Sequence, residues 1–230
     1  MFRALCLSVV FLCVDTTFGE IIDYDCDVVP DHATLQDVFS TQVSSGASWT
    51  SNNSELTMTT VSGEDVVWFG NHLTQDPVPW DLANNSDGNT VSMRSKWTAS
   101  STNWNLFLSD DAYFAQIYMS DDATIKLAKD GGFDSIAVDA TTYHTYSVHL
   151  AGGSVTYTID STDYTFTPGT YTQGKHLIIG DSSGTPLGTG SGSMIIDYVN
   201  IQTVPEPSTI AMWSIFSVIG LAVWRRRKKA

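Results

Sequence analysis

Carboxylate side chains are the first candidates for chemistry in this sequence, because cleavage of a glycosidic bond by the retaining route uses two of them. Residues two or four positions apart on one strand share a face and bring two carboxyl groups to roughly 5 Å. Between residues 20 and 203 the glutamates are Glu20, Glu55 and Glu64, and none lies in a Glu-x-Asp-x-Glu or Glu-x-Asp-x-x-Glu pattern. No pair of aspartates stands out in their place. The sequence therefore predicts no catalytic residues, and we expect the chain not to be an enzyme.

Histidine, serine and cysteine patterns provide no second chemistry. The five histidines are scattered and form no His-x-x-x-His or His-Glu pair, so a zinc site is not expected. No Gly-x-Ser-x-Gly motif supports a serine nucleophile. Cys26 is the single cysteine between residues 20 and 203, and its neighbours Asp25 and Asp27 are both acidic. Their negative charge raises a thiol pKa, so we do not expect a reactive nucleophile at Cys26.

Calcium is the one cofactor that the sequence leaves open, because aspartate oxygens are the hard ligands that this ion prefers. The spacing of the aspartates matches no EF-hand loop, and solvated turn residues are the alternative interpretation. The candidate calcium ligands are Asp110, Asp111, Asp121, Asp122 and Asp181.

Tryptophan side chains are the candidates for contact with a carbohydrate ligand. A platform for sugar rings needs two or three of them exposed on one face, whereas most tryptophans are expected in a core. The chain has seven tryptophans. Those outside its two ends are Trp49, Trp68, Trp80, Trp97 and Trp104.

The charge distribution argues against nucleic acid as a partner. The 230-residue chain has a formal net charge of −14. Residues 20–203 hold five basic residues against 23 acidic ones, so this body carries −18. Binding to nucleic acid needs clustered lysine and arginine, whereas an acidic surface favours solubility and attracts cations.

The last 27 residues combine three parts in order. The motif Val204-Pro205-Glu206-Pro207 comes first, and its prolines favour an extended, exposed segment around the glutamate. An uncharged apolar stretch from Thr209 to Trp224 follows, near the short end of what spans a bilayer as a helix. A basic stop then stays on the cytoplasmic side. It consists of Arg225, Arg226, Arg227, Lys228 and Lys229.

This tail closely resembles the PEP-CTERM sorting signal of bacteria. The resemblance implies that an exosortase-type transpeptidase reads the motif and removes the helix. It further implies that the protein reaches the cell surface or the extracellular matrix. Without such an enzyme the tail is only a single-pass membrane anchor.

The N-terminal residues agree with export. Arg3 precedes an apolar run from Ala4 to Val14, and small residues before Glu20 fit a cleavage site. Residues 1–19 are therefore predicted to be a secretory signal peptide. Residues 20–33 are expected to form a leader or a first strand, residues 34–203 one domain, and residues 204–230 the sorting signal.

Between the two ends the dominant hydrophobic period is two. β-branched and aromatic residues alternate with polar ones in about a dozen short segments between residues 48 and 201. Ala151-Gly152-Gly153 joins two of these segments as a hairpin, since glycine supplies the positive φ that such turns require. So many half-apolar strands need a second sheet to cover them. We therefore predict an all-β, two-sheet antiparallel sandwich, followed by a C-terminal transmembrane helix.

The order of segments in the second half of the body is more specific. Residues 143–148 lead into the Gly-Gly hairpin and then to 157–160, 177–183 and a closing strand at 196–201. This order resembles the concanavalin A-like lectin/glucanase jelly roll, as in laminin-G-like domains, over residues 34–203. The resemblance implies a sandwich that binds carbohydrate or another matrix component. We expect an exported, non-catalytic binding protein. The alternatives are a glycoside hydrolase or polysaccharide lyase with unusual acids, and a structural matrix protein without a ligand.

Overall fold

Sixteen β-strands make up the part of the chain that the computed structural model describes, which comprises residues 21–35, 38–61, 65–72, 82, 88–98, 104–182 and 192–203. In chain order the strands are β1 (Ile21–Tyr24), β2 (Ser40–Val43), β3 (Ser48–Asn52), β4 (Glu55–Thr60), β5 (Val67–His72), β6 (Asn89–Thr98), β7 (Trp104–Asp110), β8 (Tyr113–Asp121), β9 (Thr124–Lys129), β10 (Gly132–Ala137), β11 (His144–Ala151), β12 (Ser154–Ile159), β13 (Thr162–Phe166), β14 (Gly169–Thr170), β15 (Lys175–Asp181) and β16 (Gly192–Thr203).

The strands form two antiparallel sheets of eight strands each. Sheet A has the order β13-β12-β11-β6-β16-β4-β3, and β1 pairs with the second half of β16. Sheet B has the order β10-β9-β8-β7-β15-β5-β2, and β14 pairs with β8. The two long strands that come last in the chain, β15 and β16, therefore lie in the middle of their sheets.

The core lies between the two sheets. Alternate residues of each strand point into it, as on β6, where Val91, Met93 and Trp97 are fully buried. Tyr24 of β1 joins this core, and its ring packs edge-on against Phe69 of β5 with centroids 5.6 Å apart. The first strand is thus fixed to both sheets, by backbone pairing to β16 and by packing against β5.

The predicted all-β sandwich is confirmed, and each of the segments expected as a strand overlaps an observed one. The Gly152-Gly153 hairpin is also confirmed, since both residues have positive φ, +55° and +76°, and join β11 to β12. The segment 20–33, expected as a leader or a first strand, contributes β1. Strands β2, β10 and β14 were not predicted, because they are short and lack a clear alternation of apolar residues.

The signal peptide, the sorting motif, the apolar tail and the basic stop lie outside the described residues. Within the described ranges, no helix is long and apolar enough to cross a membrane. Cys26 is buried and has a free thiol, and burial raises its pKa to about 12. This thiol stays protonated at neutral pH.

Candidate active site

The outward face of sheet B carries the side chains best suited to chemistry. On β7 and β8 the residues Leu106, Leu108 and Ile117 point into the core, so the intervening residues point away from it. These outward positions hold aromatic and polar side chains, most of them half-buried. We call this surface the sheet-B face.

One transverse line of residues crosses the sheet-B face. Trp68, Gly180, Asn105, Tyr118 and Lys126 are successive register partners on β5, β15, β7, β8 and β9. At a strand spacing of about 4.8 Å, these five positions extend over about 19 Å. We call them the polar row. It brings an indole, an amide, a phenol and an ammonium group onto one line, although they come from distant parts of the sequence.

Two glycines keep the middle of this face free of side chains. Gly180 has a φ of +132°, and a Cβ there would lie 2.2 Å from the carbonyl oxygen of Val67. Gly70 on the neighbouring strand has a φ of +153°, and its Cβ would lie 1.9 Å from the carbonyl oxygen of Leu177. No other residue type fits either position without moving the backbone. Both glycines are buried, as are Trp68 and Asn105 beside them, so the glycines permit close packing of the strands at this point.

Aromatic rings border the polar row along the sheet. Phe107 stacks on Phe114 with ring centroids 5.8 Å apart, and Tyr171 meets the Phe107 ring edge-on at 5.3 Å. The ring of His176 lies 5.8 Å from that of Tyr171, and its Nε2 lies 3.0 Å from the carbonyl oxygen of Gln173. The apolar ring faces together with a few fixed polar groups are typical of a small-molecule or saccharide site.

Tyr118 is the titratable group of the polar row whose environment is most distinctive. Burial raises the pKa of its phenol, and the negative charge of Asp181 raises it further. The Lys126 ammonium lies 5.8 Å from the centre of the Tyr118 ring. Like any phenol it is protonated at neutral pH and can donate a hydrogen bond, and the raised pKa makes it a weaker acid than a free phenol. Perturbed groups of this kind cluster at functional sites.

The polar row is supported from inside the sandwich. The Tyr157 hydroxyl on β12 donates a hydrogen bond of 2.7 Å to the carbonyl oxygen of Ala128. It also accepts one of 3.1 Å from the backbone N–H of Gln116. These bonds tie sheet A to β8 and β9, two residues away from Tyr118 and Lys126. The strands that carry the phenol and the ammonium group are therefore fixed in position.

The tryptophans proposed to contact a ligand are separated by the fold. Trp97 and Trp104 are 1% and 0% exposed in the core, so neither can contact a sugar. Trp49 is half-buried and packs against the core from β3. Trp68 belongs to the sheet-B face, where its Nε1 donates to Oε1 of Gln42 at 3.1 Å, but it is only 3% exposed and is therefore buried as well. Trp80 lies outside the described residues.

The calcium candidates are likewise dispersed. Within the described ranges, no three His, Cys, Asp or Glu side chains are placed to hold a metal ion together. Asp110 accepts hydrogen bonds from the N–H groups of Ala112 and Tyr113, and Asp111 accepts one from Gly174. These two aspartates therefore stabilise turns. The remaining candidates lie at strand ends, namely Asp121 at the end of β8, Asp122 in the following turn and Asp181 at the end of β15.

The two-sheet arrangement is that of the concanavalin A-like jelly roll, and solved structures with a similar fold act on carbohydrates. The Crh5 transglycosylase in complex with NAG is 13% identical with a TM-score of 0.55, and the similarity covers 80% of this chain and 83% of that one. A prokaryotic β-1,3-1,4-glucanase (lichenase) derived from a mouse hindgut metagenome is 10% identical with a TM-score of 0.52, covering 80% of this chain and 99% of that one. The catalytic domain of an endo-1,3-β-glucanase (laminarinase) from Thermotoga petrophila RKU-1 is 11% identical with a TM-score of 0.52, covering 81% and 98%. Sequence identities this low show a shared fold and nothing more specific. Neither a protein-family model nor a curated protein matches the sequence.

These comparisons contradict the expectation that the chain is not an enzyme. That expectation depended on one missing pattern, two glutamates on a single strand. Among the structures that share the fold over about four fifths of the chain are a transglycosylase and two glucanases. Residues on neighbouring strands can also share one face, as those of the polar row do, and a search within single strands does not reveal such groups.

Proposed function

We propose that this protein is a carbohydrate-active enzyme that cleaves glycosidic bonds at the sheet-B face. The single observation that carries the proposal is the polar row, in which a protonated phenol lies between an amide and an ammonium group on a face bordered by aromatic rings. The fold supports it, because similar solved structures are glucanases and a transglycosylase.

Tyr118 is the proton donor in this proposal. Hydrolysis and β-elimination of a glycoside both need a proton on the leaving oxygen, and the Tyr118 phenol holds one at neutral pH. Its raised pKa makes it a weak acid, so it gives up the proton only as the leaving oxygen gains negative charge. The ammonium of Lys126 flanks this phenol in the row and orients polar groups of the sugar, while the buried Asn105 lies on its other side. Burial of Tyr118 and the charge of Asp181 raise the pKa of the phenol.

The test is the release of reducing ends from a panel of neutral and acidic polysaccharides by the purified full chain. Absorbance of unsaturated products separates β-elimination from hydrolysis. Tyr118→Phe is expected to lower the rate by about 10²- to 10⁴-fold, the usual contribution of a general acid. Tyr164→Phe on the edge strand β13 is the matched control and should retain the rate. Cleavage by Tyr118→Phe at the wild-type rate would refute the assignment of the acid, and no cleavage of any glycan would refute the enzyme itself.

We also propose that the protein is exported and sorted through its ends. The proposal is supported by the apolar run of residues 4–14 and by the Val-Pro-Glu-Pro motif ahead of an apolar stretch and five cations. The partner implied is an exosortase-type transpeptidase, with the membrane as a transient or lasting anchor. Intact mass measurement of the protein from its native cells tests this proposal. The expected species lacks residues 1–19 and the segment after the motif, whereas a 230-residue chain in the cytosol would refute export.

A further inference from the structure

A second cluster of charged and aromatic groups lies on the opposite side of the sandwich, on the outward face of sheet A. Arg94 and Lys96 are alternate residues of β6, and both point away from the core because Met93, Ser95 and Trp97, which alternate with them, are buried. The ring of Tyr143 lies across both cations. Its centroid is 4.5 Å from the Arg94 guanidinium carbon and 4.4 Å from the Lys96 ammonium. With Glu55 and Asp197 these residues form what we call the Tyr143 cluster.

The two carboxylates of the cluster are already engaged. The Tyr143 hydroxyl donates a hydrogen bond to Glu55, and Arg94 forms an ion pair with Asp197. Asp197 lies at an irregularity of β16, where the register shifts between Ile196 and Tyr198. The Lys96 ammonium has no carboxylate within 4.0 Å among the described residues. The cluster as a whole holds two cations and two carboxylates, but Lys96 is not in direct contact with either carboxylate and its ammonium can pair with an anionic group from outside.

Holding these two cations on one ring has an electrostatic cost. Each cation is attracted to the ring face, but the two repel one another. They are two of the five basic residues between residues 20 and 203. An anionic group of a ligand would relieve this repulsion by pairing with Lys96 and with the exposed part of Arg94, whose side chain is 42% exposed.

The surroundings of the cluster fit an extended saccharide. Ile195 of β16 is the register partner of Lys96 on one side and of Thr57 of β4 on the other. Arg94 lies between Thr145 and Tyr198. Hydroxyl groups and one further half-buried ring thus flank the two cations on a sheet surface. Such side chains offer hydrogen bonds and stacking to a sugar ring.

We propose that the Tyr143 cluster is an accessory binding site for acidic saccharides, which it recognises through their carboxylate or sulfate groups. This site is separate from the sheet-B face and does not depend on the reaction catalysed there. The net negative charge of the body does not prevent binding at physiological ionic strength. The Debye length is then about 8 Å, so the bound group interacts mainly with the cluster itself.

Affinity measured by titration calorimetry tests this proposal, with the full chain carrying Tyr118→Phe so that no polymer is consumed. The probes are polygalacturonate, dextran sulfate and uncharged dextran. Lys96→Gln is expected to weaken binding of the charged probes by about two- to fivefold, the equivalent of one exposed charge pair. Lys96→Arg should restore it. Asp197→Asn should strengthen binding by a similar factor, because it releases Arg94 from its own carboxylate.

The matched control is Lys129→Gln. Lys129 is also a cation near a ring, 5.7 Å from the centre of Phe166, and it is paired with Asp134. Its loss should leave the affinity unchanged. Preference for polygalacturonate or for dextran sulfate identifies the carboxylate or the sulfate as the ligand group. Equal binding of uncharged dextran, or wild-type affinity in both Lys96→Gln and Asp197→Asn, would overturn the proposal.

Discussion

We expect the substitution of tyrosine by phenylalanine to have different effects on stability at two buried positions. Tyr157 on β12 and Tyr146 on the neighbouring β11 are both fully buried and both point into the core. The Tyr157 hydroxyl holds two backbone partners, the carbonyl of Ala128 and the N–H of Gln116. The Tyr146 hydroxyl is buried and has no hydrogen-bond partner among the residues that the structure describes. Replacing either residue by phenylalanine removes one oxygen atom and little volume.

The expected energies follow from these partners. Tyr157→Phe removes two hydrogen bonds and leaves polar backbone groups in a dry interior, so we expect a loss of about 2–4 kcal/mol in the free energy of unfolding. Tyr146→Phe removes a hydroxyl that gained nothing on burial. We expect it to be neutral or to stabilise the protein by up to about 1 kcal/mol.

Urea unfolding of the full chain at pH 7, followed by tryptophan fluorescence, measures both changes. The comparison is valid if the two variants keep the wild-type m-value, since a change in m reports a change in surface exposure rather than in stability. Equal losses in the two variants would refute the argument. They would show that the ring environments, and not the hydrogen bonds, determine the effect.

Two further predictions concern the backbone and the response to pH. Gly180→Ala should lower the free energy of unfolding by about 2–4 kcal/mol because the new Cβ meets the Val67 carbonyl. Gly131 also has a positive φ but lies in open space, so Gly131→Ala should lower it by only about 1 kcal/mol. Thermal unfolding of both variants distinguishes the effect of steric crowding from the effect of backbone strain. A hydrogen bond with His144 lowers the pKa of the Asp160 carboxyl in the folded protein. The Asp160 carboxylate therefore stabilises the folded state above the unfolded pKa of about 4, and this stabilisation is lost as the pH falls through the folded pKa. Asp160→Asn should therefore be less stable than wild type at pH 6, by under about 1 kcal/mol since the carboxylate is 55% exposed, and the difference should shrink below pH 4. A difference that persists at pH 2.5 would contradict this account.

The strands were predictable because the signal for them is local. Alternation of apolar and polar residues identifies a strand without reference to its partners, as on β8, where Ala115, Ile117 and Met119 are buried. The pairing was not predictable in the same way. β16 lies between β6 and β4, which end about 95 and 130 residues before it begins, and no local turn sequence indicates such a contact.

The candidate site was missed for a related reason. The patterns expected for a site were two acids on one strand and exposed tryptophans, whereas the polar row combines Asn105, Tyr118 and Lys126 from three strands. β8 did contain a useful signal, because Gln116 and Tyr118 alternate with the buried residues of the strand. This alternation assigns a residue to the outward face, but only the strand register shows which residues of other strands lie beside it.

The central place of β16 determines when sheet A can be completed during synthesis. It is the last strand in the order of the chain, yet β6, β4 and β1 all pair with it. Until residue 203 has left the ribosome, these three strands have unpaired edges that expose backbone groups to other chains. A nascent chain stalled before this point is therefore expected to need a holding chaperone, and release of the final strand is the step that ends that requirement.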